Sequence, residues 1–185
     1  MRPLVVLVLI VLLLVPAATR ADDAVGFCGD TSTPYAEVQI ETLPRLNLEL
    51  ARTPAEHQIG LMFRGYDSAV QRVPDDQLQH VRQDFAELQT RGANVSWDGL
   101  PNDSGMLFVY ERPATEGYWM HNTLLPLSIA WIDSNGTIVD IQDMEALTDD
   151  VHVPAAPYWY ALEANQGWYM NHGVGVGQLV LFCGI

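Results

Sequence analysis

The chain has 185 residues, with 23 acidic side chains against nine Arg and no Lys, giving a formal net charge of −14 and a pI near 4.4. A surface of that sign repels phosphodiester backbones and anionic headgroups, which excludes nucleic acid and acidic lipid as partners. The acids are spread along the chain, so their first role is solubility and no cation-binding patch is localised by them.

Taken in chain order, the first segment has the character of a leader. Arg2 precedes an unbroken apolar run of twelve residues, Leu4 to Val15, which Pro16-Ala17-Ala18 breaks before Thr19-Arg20-Ala21. This pattern predicts a signal peptide over residues 1–21 and a secreted or periplasmic protein. The run is short of the roughly 20 apolar residues that a permanent span needs; an uncleaved anchor is the alternative. Cleavage after Ala21 leaves residues 22–185 as a single β-rich domain with net charge −16. Two cysteines, Cys28 and Cys183, lie near opposite ends of that domain. An even count in an exported chain predicts one disulfide, worth up to about 5 kcal/mol by loop entropy.

Residues 22 to 34 are polar and turn-rich and read as a lead-in, and Tyr35 to Thr42 as a strand. Leu46, Leu48 and Leu50 alternate with polar residues, the mark of a half-buried strand. Thr53-Pro54-Ala55-Glu56 is a capping box with proline at the first helical position, which starts a short helix running to about Leu61. Residues 65–103 differ in character and read as an insertion: after Pro74, Leu78, Val81, Phe85 and Leu88 fall on one helical stripe that Gly92 can end. Met106 to Tyr110 and Tyr118 to Asn122 read as strands. Asn135-Gly136 between two apolar runs predicts a type I′ hairpin pairing Ser134 with Thr137 and Ile132 with Val139. One face then carries Ser128, Ala130, Ile132, Val139 and Ile141, the other Leu127, Ile129, Trp131 and Ile138. With both faces apolar, the hairpin belongs in a covered interior. Tyr158 to Ala164 is a further strand, Gly167 to His172 a helical turn, and Val176 to Phe182 the last strand. The expected fold is mainly β, a small β-sandwich or jelly-roll-like domain with short helices and an inserted surface helix.

Four segments in order carry a family resemblance: Gly60-Leu61-Met62-Phe63-Arg64; Gly105 to Tyr110; Tyr118 to Thr123 with Pro126-Leu127; and Ala161-Leu162-Glu163 with Gly173 to Val180. Together they resemble the family catalogued as domain of unknown function 192, over roughly residues 45–64 and 104–181. The resemblance implies a small, often exported β domain and supplies no activity. The chain departs from the family in its long 65–103 segment, in His121 where a lysine is common, and in Ser128 where an aspartate is common.

The residues that could form a pocket are Met62, Arg64, Trp119, Met120, Asn122 and Glu163. On an extended segment Trp119 and His121 face one way, Met120 and Asn122 the other. Trp119 would supply an aromatic wall, Met120 a soft contact and Asn122 an orienting amide; the plainer reading gives Asn122 the task of holding its loop. Arg64 could clamp a carboxylate, or pair with Glu163 or cap a carbonyl. Met62, Met106, Met120 and Met170 with His121, His152 and His172 raise copper, but the thioethers are dispersed and Met also fills irregular cores. No esterase, zinc-protease, phosphate-loop or dinucleotide motif occurs, and Gly173 to Gly177 precedes a strand rather than a helix. The chain therefore reads as a non-catalytic exported binding or accessory domain without a cofactor, its partner an unidentified small ligand or protein. A copper-handling protein and a hydrolase using Glu163 or Asp140 as base are the alternatives.

Overall fold

The computed structural model describes residues 36–40 and 46–183. The leader lies outside the described residues, and so does Cys28, half of the expected disulfide. Alternating leucines place the first core strand. β1 (Ala36–Ile40) is followed by β2 (Leu46–Ala51), in which Leu46 and Leu48 are buried and Asn47 is exposed. The capping box forms as written. Thr53 precedes α1 (Pro54–Ile59), its hydroxyl accepts from the Glu56 N–H, and the Glu56 carboxylate accepts from the Thr53 N–H.

The insertion contributes α2 (Tyr66–Ala69), which periodicity does not announce, and α3 (Asp75–Thr90). No side chain caps the start of α3. Packing holds it instead, as is usual for helices of this length. Leu78, Val81 and Phe85 of the expected stripe are buried against Phe63, Ala69 and Leu124, and Phe85 stacks on Trp97 with ring centroids 3.8 Å apart. The surface helix thus brings its own small core.

After the insertion come β3 (Ser104–Ala114), β4 (Leu127–Ile132), β5 (Ile138–Met144), β6 (Tyr158–Asn165), α4 (Trp168–Asn171) and β7 (Val180–Cys183). The protein is mainly β, and its strands form one mixed sheet in the order β5-β4-β6-β3-β2-β1-β7. Among the described strands only β2 and β3 run parallel, as expected for a pair joined by a long helical crossover. The sheet bends until its two edge strands meet: Thr137 bridges Leu179, and Ile138 N–H donates to the Gln178 carbonyl at 2.9 Å. This fold-back gives the layering of a sandwich from a single sheet. The concave interior holds Leu46, Leu48, Leu107, Ala130, Leu162 and α4's Trp168. The outer face holds Met106, Phe108, Met120, Ile129 and Trp131. β4 is buried at all six residues, so it is covered on both sides.

Three local expectations are corrected. The hairpin is present, but Ile132 pairs with Ile138 and the loop is closed by Asp133 and Thr137. Asp133 dictates this, its carboxylate accepting from the N–H groups of Asn135 and Thr137. A bulge then restores the expected pairing of Trp131 with Asp140, and Ile138 and Val139 exchange faces. Residues 118–122 are not a strand. Tyr118 bridges His152, but Asn122 turns the chain at φ +54°, a left-handed conformation that asparagine tolerates. The last strand begins only at Val180, because the preceding residues are spent on the turn at Gly177, φ +89°.

Phe85→Ala removes a ring that both fills the small core and stacks on Trp97. Chemical denaturation should show a loss of about 3 kcal/mol, with Trp97 fluorescence shifting to that of an exposed indole; an unchanged midpoint would mean that the insertion is not packed in this way.

Candidate functional site

Two of the quoted motifs are joined backbone to backbone. Phe63 N–H donates to the Asn122 carbonyl at 2.8 Å, and both residues have positive φ, +68° and +54°. Leu147, at φ +59°, donates its N–H to the Thr123 carbonyl. These are the only non-glycine residues with positive φ among the described residues. Such conformations cost about 1–3 kcal/mol each and gather where the surrounding structure fixes a special geometry.

Arg64, next to this knot, is bound at three points. Its Nη1 donates to both Glu49 oxygens, at 2.8 and 3.0 Å, while Nε and Nη2 donate to the carbonyls of Asp98 and Gly99. The carboxylate it meets is therefore Glu49 on β2 and not Glu163, which lies two strands away. Asn122 is buried, and its amide donates to the Asp84 carboxylate on α3 at 2.9 Å. His121 lies between Asp149, at 2.8 Å from Nδ1, and Asp84, at 4.0 Å from Nε2.

Arg64 and Met62 line an open cleft of about 810 Å³ between β2, α1 and the 91–98 loop. Its floor also includes Ala51, Ile59 and Met106. The other candidates are placed elsewhere. Trp119 is half exposed and stacks on His121 at 4.8 Å, on a separate face. Met120 is fully buried in the outer core. Of the two carboxylates considered as bases, Asp140 accepts from the Gln142 amide and the Ala155 N–H, a structural arrangement. The four methionines do not converge, since Met170 is 78% exposed on α4 while Met120 is buried; only Met62 and Met106 share the cleft. No group of three or more His, Cys, Asp or Glu that could hold a metal occurs among the described residues.

Glu163 is the chemically unusual group. It is 5% exposed, and its carboxylate accepts no hydrogen bond among the described residues. Burial alone pushes its carboxyl up to about 8. Cross-strand partners share a face, so the row Glu49, Met106, Glu163, Ile129 runs across the outer side of the sheet. Glu163 thus sits one strand beyond Met106, the cleft floor. Burial also holds the Tyr118 and Tyr169 hydroxyls well above the usual phenol range, and the Glu163 charge adds to both. Reasoning from sequence missed Glu49 and the place of Met106. The signal for Glu49 was available, because the polar partners of Leu46, Leu48 and Leu50 must lie on the outer face, where Arg64 also lies.

A carboxyl raised by burial binds its proton more tightly folded than unfolded. Its contribution to stability is therefore complete below pH 4.5 and lost as pH rises toward 8. Glu163→Gln should remove this loss, raising stability at pH 7.5 by roughly 2–4 kcal/mol and leaving it nearly unchanged at pH 4. Urea midpoints across that range check it; equal gains at both pH values would show that Glu163 is solvated.

Comparison with known proteins gives fold and family. The DUF192 family model, described as an uncharacterized ACR, matches residues 81–182. The match spans Met106, Asn122 and Glu163 and begins beyond Arg64. A crystal structure of a protein described as a candidate transcription regulator from Sinorhizobium meliloti 1021 is similar in fold, with TM-score 0.57 and 24% identity over 82% of this chain and 94% of that one. So is a protein of unknown function from Novosphingobium aromaticivorans DSM 12444, with TM-score 0.55 and 25% identity over 80% of this chain and 83% of that one. No curated protein matches the sequence. With its family model covering more than half of its length, the chain belongs to the uncharacterized DUF192 family.

Proposed function

We propose that the protein is an exported, non-catalytic binding domain that takes a small, partly apolar ligand in the cleft between β2, α1 and the 91–98 loop. The observation that carries this reading is the cleft itself: about 810 Å³, floored by Met62, Met106 and Ile59 and walled by the fixed Arg64–Glu49 pair. Ligand sites combine an apolar lining with a few placed polar groups, and methionine adapts its shape to what it contacts. Catalysis has less support, since no nucleophile or second acid–base group is hydrogen-bonded to Glu163 among the described residues and Asp140 is engaged in holding the 155 segment. Export rests on the leader-like pattern of residues 1–21; no helix among the described residues is long and apolar enough to cross a membrane.

The reading is tested by thermal-shift screening of residues 22–185 against metabolites, sugars and short peptides. A ligand present at 100 times its Kd should raise stability by about 2.7 kcal/mol. Ala55→Trp places an indole on an exposed α1 position that lines the cleft, leaving the core untouched. It should abolish that shift while keeping the unliganded melting temperature. A ligand that stabilises both proteins equally binds elsewhere and refutes the site.

A further inference from the structure

The cleft carries more negative than positive charge that is free to act. Glu49, Glu56 and Asp98 line it, with Arg64 and Arg91. Arg64 is consumed by Glu49 and two carbonyls, and Arg91 pairs with Glu87 at 2.6 Å. Glu56 accepts only from the backbone N–H groups of Arg52 and Thr53, and Asp98 from the Ser96 hydroxyl. Neither has a cationic partner among the described residues. Behind the floor, one strand beyond Met106, is the buried Glu163 carboxyl, which has no hydrogen-bond partner among the described residues. Met106 is unbranched, 9% exposed, and the one residue between Glu49 and Glu163 in the row. A change of its rotamer would open the cleft toward the carboxylate.

We propose that the cleft selects small cations, amines or guanidinium compounds with a short apolar body, and that Glu163 is the residue that reads the positive head. This rests on the cleft being a ligand site. The apolar body lies on Met62, Met106 and Ile59, and the head displaces the Glu163 proton to form an ion pair inside low-dielectric surroundings, where such pairs are strongest. The charged and titratable groups around Glu163 fit this. Tyr118 from the segment after β3 and Tyr169 from α4 are held protonated by burial, and Glu49 along the row is neutralised by Arg64. No cation of the chain competes for the carboxylate among the described residues.

The test compares pentylammonium, pentanol and pentanoate, which share one apolar body and differ in the head, by calorimetric titration of residues 22–185. Pentylammonium should bind best, and about tenfold or more tighter at pH 9 than at pH 6, because Glu163 is ionised only at the higher pH. At pH 7, buffers of different ionisation enthalpy should reveal release of up to one proton per amine bound. Glu163→Gln should lose the head-group preference, the pH dependence and the proton release; circular dichroism and its melting temperature confirm that it is folded. Equal binding of all three probes, blocked by Ala55→Trp, overturns the cation proposal and leaves the cleft standing as a ligand site. Amine-selective binding that Ala55→Trp does not affect overturns the cleft reading. No pentylammonium binding at tens of millimolar, or binding unchanged in Glu163→Gln, overturns the role given to Glu163.

Discussion

The hydrogen bond from Phe63 N–H to the Asn122 carbonyl fastens the crossover between the parallel strands β2 and β3 to the chain that covers the outer face of the sheet. Both residues sit in left-handed conformations that a free chain avoids. What holds them there is packing: Phe63 is completely buried among Phe85, Leu124 and Ala69, and the Asn122 amide is taken by Asp84 of the inserted helix. The next residue, Arg64, is thereby aimed at Glu49 and at the Asp98 and Gly99 carbonyls. One backbone contact therefore fixes a wall of the cleft, seats the insertion and positions the guanidinium, with the strain offset by burial.

Much of the fold could be read from local chemistry, and the failures have local causes. The alternation at Leu46, Leu48 and Leu50, the capping box at Thr53, and the stripe from Leu78 to Phe85 each describe one element whose own residues decide its shape. The hairpin was placed but its register near the turn was not, because the Asp133 carboxylate overrides the preference of Asn-Gly for a two-residue loop. The extended reading of residues 118–122 failed at one backbone torsion, while its prediction of alternate facing survives: Trp119 and His121 stack outside, Met120 and Asn122 are buried. Among the six candidate residues, Met62 and Arg64 share the cleft and Glu163 lies behind its floor. Trp119, Met120 and Asn122 were grouped with them by neighbourhood in sequence, and long-range packing separates them. The Glu49 partner of Arg64 is fifteen residues away in the chain and is brought near only by the sheet.

A carboxyl that burial pushes up to about 8, as at Glu163, is a standing cost at neutral pH that a fold removes easily by mutation, and glutamine would fit the same space. It stands apart from its own cross-strand neighbours, Met106 and Ile129, which are apolar members of the outer core. Ser128 offers the contrast. It too is buried, but its hydroxyl bonds the Asp143 carboxylate and accepts from the Gly167 N–H, so the carboxylate expected at that position is replaced by a satisfied polar link to a neighbouring strand.

The meeting of the first and last strands in the sheet has a consequence for how copies of this chain treat one another. An exposed strand edge invites a neighbour's strand to add to it, the first step toward fibrils and domain-swapped polymers. Here Gly136 accepts from the Val180 N–H and Ile138 accepts from the Gly177 N–H, so the start of β5 is already paired. Further along, Gln142 and Asp140 side chains hold the carbonyl of Val153 and the N–H of Ala155 alongside β5. A Cβ at residue 136 would come within 2.7 Å of the Val180 carbonyl, so only glycine lets the two edges close this tightly. Self-closure thus supplies an intrinsic defence against aggregation that does not depend on the chain's electrostatic repulsion, and that persists where salt screens it.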